Sequence, residues 1–254
     1  MKIGILGAMP QEISLLQKDL RAVKRQTRGM REYLEGELYG RDVVLVFSRC
    51  AKVAAASTVT TLIEVFGAEL VVFTGVAGSA DSSLEIGDVV IGNSLVQHDM
   101  DARPIFRRFE VPLLGQVAFE PSPEITALAR ESAESYLHGQ CRDVAPLVLS
   151  SFGIKSPKVC EGLIVSGDQF VANPETLLGV KMALVNAGLP SPLCVEMEGA
   201  AVAQVCYEHD IPVAVMRTIS DRSDHSAAVD FVSFVEKVAS HFTCGIVKEL
   251  IRRI

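Results

Sequence analysis

Residues 211–219 read Ile-Pro-Val-Ala-Val-Met-Arg-Thr-Ile and run straight into Ser220-Asp221. A short, almost wholly apolar run of this kind is a strand buried on both faces, as in parallel sheets covered by helices. Similar runs occupy 2–6, 70–74 and 159–165. The stretches between them carry helical patterns: 10–20, with apolar residues at 13, 15, 16 and 20, then the alanine-rich 52–66, then 123–137 and 174–187. A helix is also expected through 195–206, and a last one from about 227 to 254. This alternation predicts an α/β fold with a doubly wound, largely parallel or mixed sheet. Residues 33–38 and 43–47 flank Tyr39-Gly40-Arg41-Asp42 as a hairpin, and two further strands are expected at 86–91 and 95–96. Residues 103–122 hold three prolines and no clear period, which predicts a loop or lid, and 139–157 reads as a surface excursion. No repeat or linker interrupts the chain, so 1–254 is expected to be one domain.

Composition narrows the function classes. A chain of 254 residues that is 49% hydrophobic can bury a sizeable core. A net charge of −7 argues against nucleic acid, which calls for a clustered basic footprint. The basic tail 248–253 closes an amphipathic helix, where cations complement the dipole. Six cysteines without a CxxC pair or zinc-type spacing read as reduced, structural thiols, as in a cytoplasmic protein. Residues 1–7 are too short for a leader, and no apolar window of the ~18 residues a membrane helix requires is present, so no membrane contact is expected.

The acids stand where a core would not want them. In open α/β sheets, ligands bind outside the carboxyl ends of the strands. Asp221 ends the 211–219 strand, and Glu196 and Glu198 flank Met197 ahead of an apolar run. Glu12 falls in the first turn of a helix that opens at the end of the 2–6 strand. Taken alone, Glu12 serves the helix dipole, worth about 0.5 kcal/mol. Gly75-Val76-Ala77-Gly78 is either a tight turn or a cradle where backbone approaches a ligand; no Lys-Ser or Lys-Thr follows, which excludes a phosphate-binding P-loop. Gly4 to Gly7 lacks the dinucleotide spacing. His98, Asp99 and Asp101 lack a fourth metal ligand and read as a polar rim or a dimer contact. Asp224-His225 reads as the entry to the last helix.

Taken in order, several blocks resemble the nucleoside phosphorylase superfamily, and within it the bacterial 5′-methylthioadenosine/S-adenosylhomocysteine nucleosidases. They are Met1 to Met9 with Glu12, Thr74 to Gly78, Gln97-His98-Asp99-Met100-Asp101, Ser166 to Val171, Val195 to Ala200, and Ser220-Asp221. The resemblance implies a three-layer α/β/α domain that cleaves the N-glycosidic bond of an adenine nucleoside, acting as a homodimer without metal or organic cofactor. It implies catalytic roles for Asp221, protonating adenine N7, and for Glu12, holding and activating water. Glu198 would bind a ribose hydroxyl, Met197 would pack on the sugar, Phe170 would stack on adenine and the Val171 main chain would read its edge. Ser220 and Arg217 would support the acid, and Val76, Ala77, Gly78 and Cys50 would line the pocket. Glu196 would serve as a structural or ribose-side partner, and Phe106 would reach toward a second subunit's site.

The chemistry is coherent on its own terms. Breaking a C1′–N9 bond builds an oxocarbenium-like sugar and negative charge on the base, so an acid on one side and a carboxylate on the other answer both needs. An aspartate acting as acid at neutral pH needs a site that raises its pKa. A phosphorylase would need arginines around its anion, and Arg49 is the one candidate near the glycine turns; Glu12 would repel phosphate there. Water is therefore the expected nucleophile. A phosphate-dependent purine or uridine phosphorylase and a non-catalytic nucleoside binder stay as alternatives. Arg49-Cys50-Ala51, Val76 and Arg222 depart from the family's usual pattern, which is either drift at the pocket margin or altered 5′-specificity toward S-adenosylhomocysteine or 6-amino-6-deoxyfutalosine.

Overall fold

The computed structural model describes residues 1–139, 143–223 and 231–254. Its elements run β1 (Ile3–Gly7), α1 (Pro10–Asp19), β2 (Arg21–Arg28), β3 (Arg31–Leu38), β4 (Arg41–Phe47), α2 (Lys52–Glu64), β5 (Leu70–Ser79), β6 (Val89–Gln97) and β7 (Ala118–Phe119). They continue with α3 (Pro123–His138), α4 (Pro146–Ser151), β8 (Val159–Ser166), α5 (Pro174–Asn186), β9 (Cys194–Glu196), α6 (Gly199–Glu208) and β10 (Val213–Asp221). The last helix is α7 (Phe231–Phe234), a π turn over Val235–Ala239, and α8 (Ser240–Arg253).

One mixed sheet joins the strands in the order β10-β6-β8-β9-β5-β1-β4-β3-β2, with β7 beside β6. An added pairing of β10 with β5 brings the first five strands of that order round on themselves. Both faces are covered. Ile3, Ile5, Leu70 and Val72 point toward α1, α3 and α8, packing with Leu16, Ala133, Phe242 and Ile246. Leu6, Val71 and Phe73 point the other way, toward Val59 and Leu62 of α2 and Val202 and Cys206 of α6. Strict alternation between two apolar layers explains why these strands read as unbroken hydrophobic runs.

The structure departs from the sequence reading at several elements. The strand expected to end at residue 74 continues through Gly75–Gly78, because β10 pairs with it in parallel from Val71 to Gly78. The two strands expected at 86–91 and 95–96 are one strand, β6, with an irregularity between Gly92 and Ser94. Cys194–Glu196 is a strand rather than the start of a helix, and α6 opens only at Gly199. Strand β2 was not anticipated. It is a polar edge strand whose side chains face water, and its four basic residues are the type of charge that guards a sheet edge. Within the expected 139–157 excursion lies the short helix α4. Asp224-His225 lies outside the described residues, as does Cys141. Cys50, Cys160, Cys194, Cys206 and Cys244 are free thiols. Among the described residues no helix is long and apolar enough to cross a membrane.

Candidate active site

The acidic residues are brought together where β1, β5, β9 and β10 end. Glu12 arrives through a short turn: β1 stops at Gly7, Pro10 opens α1 with its φ already set for a helix, and Glu12 sits in the first turn. Its side chain folds back over the turn. Oε2 accepts from the backbone N–H of Ala8 at 2.7 Å and of Met9 at 2.9 Å, and Oε1 accepts from Val76 N at 3.2 Å. The dipole role read from sequence is thus present, but a second strand also grips the same carboxylate. Gly75 makes room for this grip, since a Cβ there would stand 2.6 Å from Oε1. Burial pushes the Glu12 pKa up, against the backbone hydrogen bonds and the Arg217 charge that pull it down.

Glu196 and Glu198 leave β9 in different directions. Glu196 accepts from the N–H of Glu198 at 3.2 Å and of Gly199 at 2.8 Å, from the Arg217 guanidinium at 2.6 Å, and from the Ser166 hydroxyl. Ser166 Oγ in turn accepts from Ala200 N at 2.7 Å. These bonds satisfy the exposed donors at the start of α6, so Glu196 is committed to the scaffold. Glu198 Oε1 accepts from Ala51 N at 2.6 Å. Burial, reinforced by the Glu196 charge, pushes its pKa up to about 8.

Asp221 ends β10, beyond a register shift that separates it from Ile219. Ser220 Oγ lies 2.7 Å from Asp221 Oδ2, and Ser223 N donates to Oδ1 at 2.8 Å. Arg217 lies on the same strand, four residues before Asp221. Its buried guanidinium pairs with Glu196, lies 3.9 Å over the Phe73 ring and donates to the Met216 carbonyl at 2.9 Å. A guanidinium that is 1% exposed requires a carboxylate at close range, and Glu196 supplies it. Its charge also acts on Glu12 and Glu198.

These groups face an open cavity of about 700 Å³, mouth included. Glu12, Cys50, Val76, Ala77, Gly78, Phe170, Val171, Glu196, Met197, Glu198, Ser220 and Asp221 all line it. Arg217 and Phe106 do not line the cavity of their own chain. Ala8, Met9, Gln169, Val195 and Phe231 complete the wall and were not anticipated. Phe231 meets the Phe170 ring edge-on, centroids 6.2 Å apart, across a sequence gap that no local pattern could reveal. No lysine, arginine or histidine lines the cavity among the described residues. Arg49 turns outward and donates to the Met30 carbonyl at 2.8 Å, while Arg222 pairs with Glu85. Asp99 bonds Lys52 at 2.6 Å and Asp101 forks onto Arg103, so these two acids are engaged with separate cations.

Comparison with known proteins agrees with this architecture. The profile of the Phosphorylase superfamily matches residues 2–252. A 5′-methylthioadenosine/S-adenosylhomocysteine nucleosidase of Shewanella denitrificans is 36% identical over 241 residues, 95% of each chain. The chain belongs to this nucleosidase family. The Neisseria meningitidis nucleosidase, solved in complex with methylthio-immucillin-A, superposes with a TM-score of 0.85 at 30% identity over 100% of this chain and 99% of that one. The futalosine hydrolase of Helicobacter pylori superposes with a TM-score of 0.83 at 30% identity, covering 100% of this chain and 98% of its own. Against this nucleosidase background the departures acquire geometry. Arg49 and Ala51 hold φ of 69° and 76°, the left-handed region that favours glycine. Between them Cys50 faces the cavity, with burial and the Glu198 charge pushing its thiol up. Val76 gives its N–H to Glu12 and an apolar side chain to the wall.

Proposed function

We propose that the protein hydrolyses the N-glycosidic bond of 5′-methylthioadenosine and S-adenosylhomocysteine, releasing adenine and the 5′-thioribose. The observation that carries this reading is the lining of the cavity: four acidic side chains and, among the described residues, no cation to hold phosphate. A dianionic co-substrate would be repelled there, whereas water is welcome. In this reading Glu12, held by three backbone N–H groups, orients and deprotonates the water that attacks C1′. Its raised pKa makes it a stronger base once ionised. Asp221 delivers a proton to N7 of the departing adenine, with Ser220 and Ser223 fixing its orientation. Glu198 takes a ribose hydroxyl, Met197 packs on the sugar, and Phe170 with the Val171 main chain holds the base. Atoms balance without a further reagent: water adds across the C1′–N9 bond, its hydroxyl to the sugar and its proton to the base.

The test is adenine release from both nucleosides in phosphate-free buffer and again with added phosphate. Equal release in the two buffers is expected; release that requires phosphate would make the protein a phosphorylase. The likeness to the futalosine hydrolase supports 6-amino-6-deoxyfutalosine as a third substrate for the same assay. The reading extends to a cytoplasmic homodimer. Leu178, Met182 and Val185 form one exposed stripe on α5, and Ile105 and Leu113 stand exposed on the neighbouring 98–117 segment. Such an apolar surface on a charged protein favours association. In the dimer, Phe106 of that segment is assigned to the second subunit's site.

A further inference from the structure

The cavity has two walls that come from distant parts of the chain. The base-side wall is the segment after β8, with Gln169, Phe170 and Val171; the sugar-side wall includes Cys50, just ahead of α2, and Glu198. A closed circuit of polar contacts joins these walls outside the cavity. Lys52 Nζ donates to Asp99 Oδ1 at 2.6 Å, and to Gln97 Oε1 at 3.1 Å. Asp99 Oδ2 accepts from Asp168 N at 2.9 Å, and Asp168 Oδ1 accepts from Lys52 N at 2.9 Å. The circuit thus returns to the residue at which it began. It ties the start of α2 to the ends of β6 and β8, and none of its members lines the cavity.

Two further observations place a constrained residue and a cavity carboxylate directly beside this circuit. Ala51, one residue before Lys52, holds φ 76° and ψ 163°, a backbone region nearly reserved for glycine, which persists only where surroundings over-determine it. That same residue's N–H donates to Glu198 at 2.6 Å. The α2 N-terminus therefore receives two carboxylates, Glu198 of the sugar-side wall at Ala51 N and Asp168, next in sequence to the base-side wall, at Lys52 N. The Lys52 side chain is 15% exposed and that of Asp99 32%, so the ion pair is sheltered more than an ordinary surface pair.

We propose that Lys52, Asp99 and Asp168 form a positioning latch that sets the gap between the aromatic, base-side wall and the Ala51–Glu198 contact on the sugar side. The inference rests on the nucleosidase reading for its kinetic consequence and on geometry alone for its mechanical one. Opening the latch by removing the Lys52 ammonium frees the Asp99 carboxylate, loosens its hold on Asp168 N, and lets residues 169–171 drift from Glu198. Substrate binding suffers first, because both walls must contact one nucleoside simultaneously.

The experiment compares Lys52→Met, Asp99→Ala and the double variant with the parent protein, by adenine-release kinetics and by amide hydrogen exchange without ligand. KM for 5′-methylthioadenosine is expected to rise about tenfold in each single variant with kcat changed much less, and the double variant to be no worse than either single, since both break one circuit. Amide exchange at Ala51, Lys52 and 168–171 is expected to quicken about tenfold, while the core strands keep their protection. KM within twofold of the parent, additive losses in the double variant, or unchanged local exchange would overturn the latch. Exchange that quickens in a protein whose parent form releases no adenine would leave the latch standing and remove the nucleosidase reading instead.

Discussion

Glu12 shows how much of this site is decided by single contacts. Its carboxylate occupies the space that a side chain at residue 75 would need, so Gly75→Ala forces Oε1 from its place. We expect that variant to lose at least about tenfold in kcat/KM while retaining its fold, as checked by circular dichroism. Asp221→Asn removes the proton proposed for adenine and should lower kcat by about 10²-fold or more, with inhibitor binding much less affected. Full turnover in that variant would rule out the proposed acid. Glu198 makes a prediction about stability. Its folded pKa is raised from an ordinary value of 4.5 to about 8, so the folded state holds this proton more tightly than the unfolded chain does. The corresponding stability is fully present below pH 4.5 and is lost as pH rises toward 8. Glu198→Gln keeps the acceptor for Ala51 N and should flatten the fall in Tm across that window. At this scale the acids were readable, because carboxylates beside apolar runs at strand ends have few structural uses. The partner of Arg217 was not, since Glu196 lies 21 residues away in sequence and meets it only through the sheet.

At the scale of elements, short and strained pieces were hardest to anticipate. β9 has three residues, too few for any alternation to register, and the following helix disguises it. β2 carries no apolar stripe because it forms an outer edge, whereas β1, β4, β5 and β10 were legible because two layers bury them. The turn at 49–51 is different, for its sequence argues against the conformation it adopts. Ala51→Gly relieves the positive φ while preserving the N–H to Glu198. It should raise stability by about 0.5–1 kcal/mol, measured as a higher urea midpoint at unchanged slope. An unchanged midpoint would show that the turn stores no strain.

At the scale of the whole molecule, a buried cation acts on the acids of the cavity. Arg217→Met leaves Glu196 charged and unpaired at the start of α6, a loss of about 3–5 kcal/mol visible as a large drop in Tm. The exposed stripe on α5 gives the assembly a separate test: Leu178→Glu with Met182→Glu should convert a sedimenting dimer to a monomer without unfolding the protomer. A monomeric parent protein would remove the proposed role of Phe106. The sequence by itself determined the layered fold, the family and the identity of the acids, because hydrophobic periodicity and residue type are local properties of a chain. Tertiary structure alone decided which carboxylate meets which donor: Glu12 with Val76, Glu198 with Ala51, Glu196 with Arg217. Those pairings depend on strand register and on distances between segments far apart in sequence, and no local pattern encodes them.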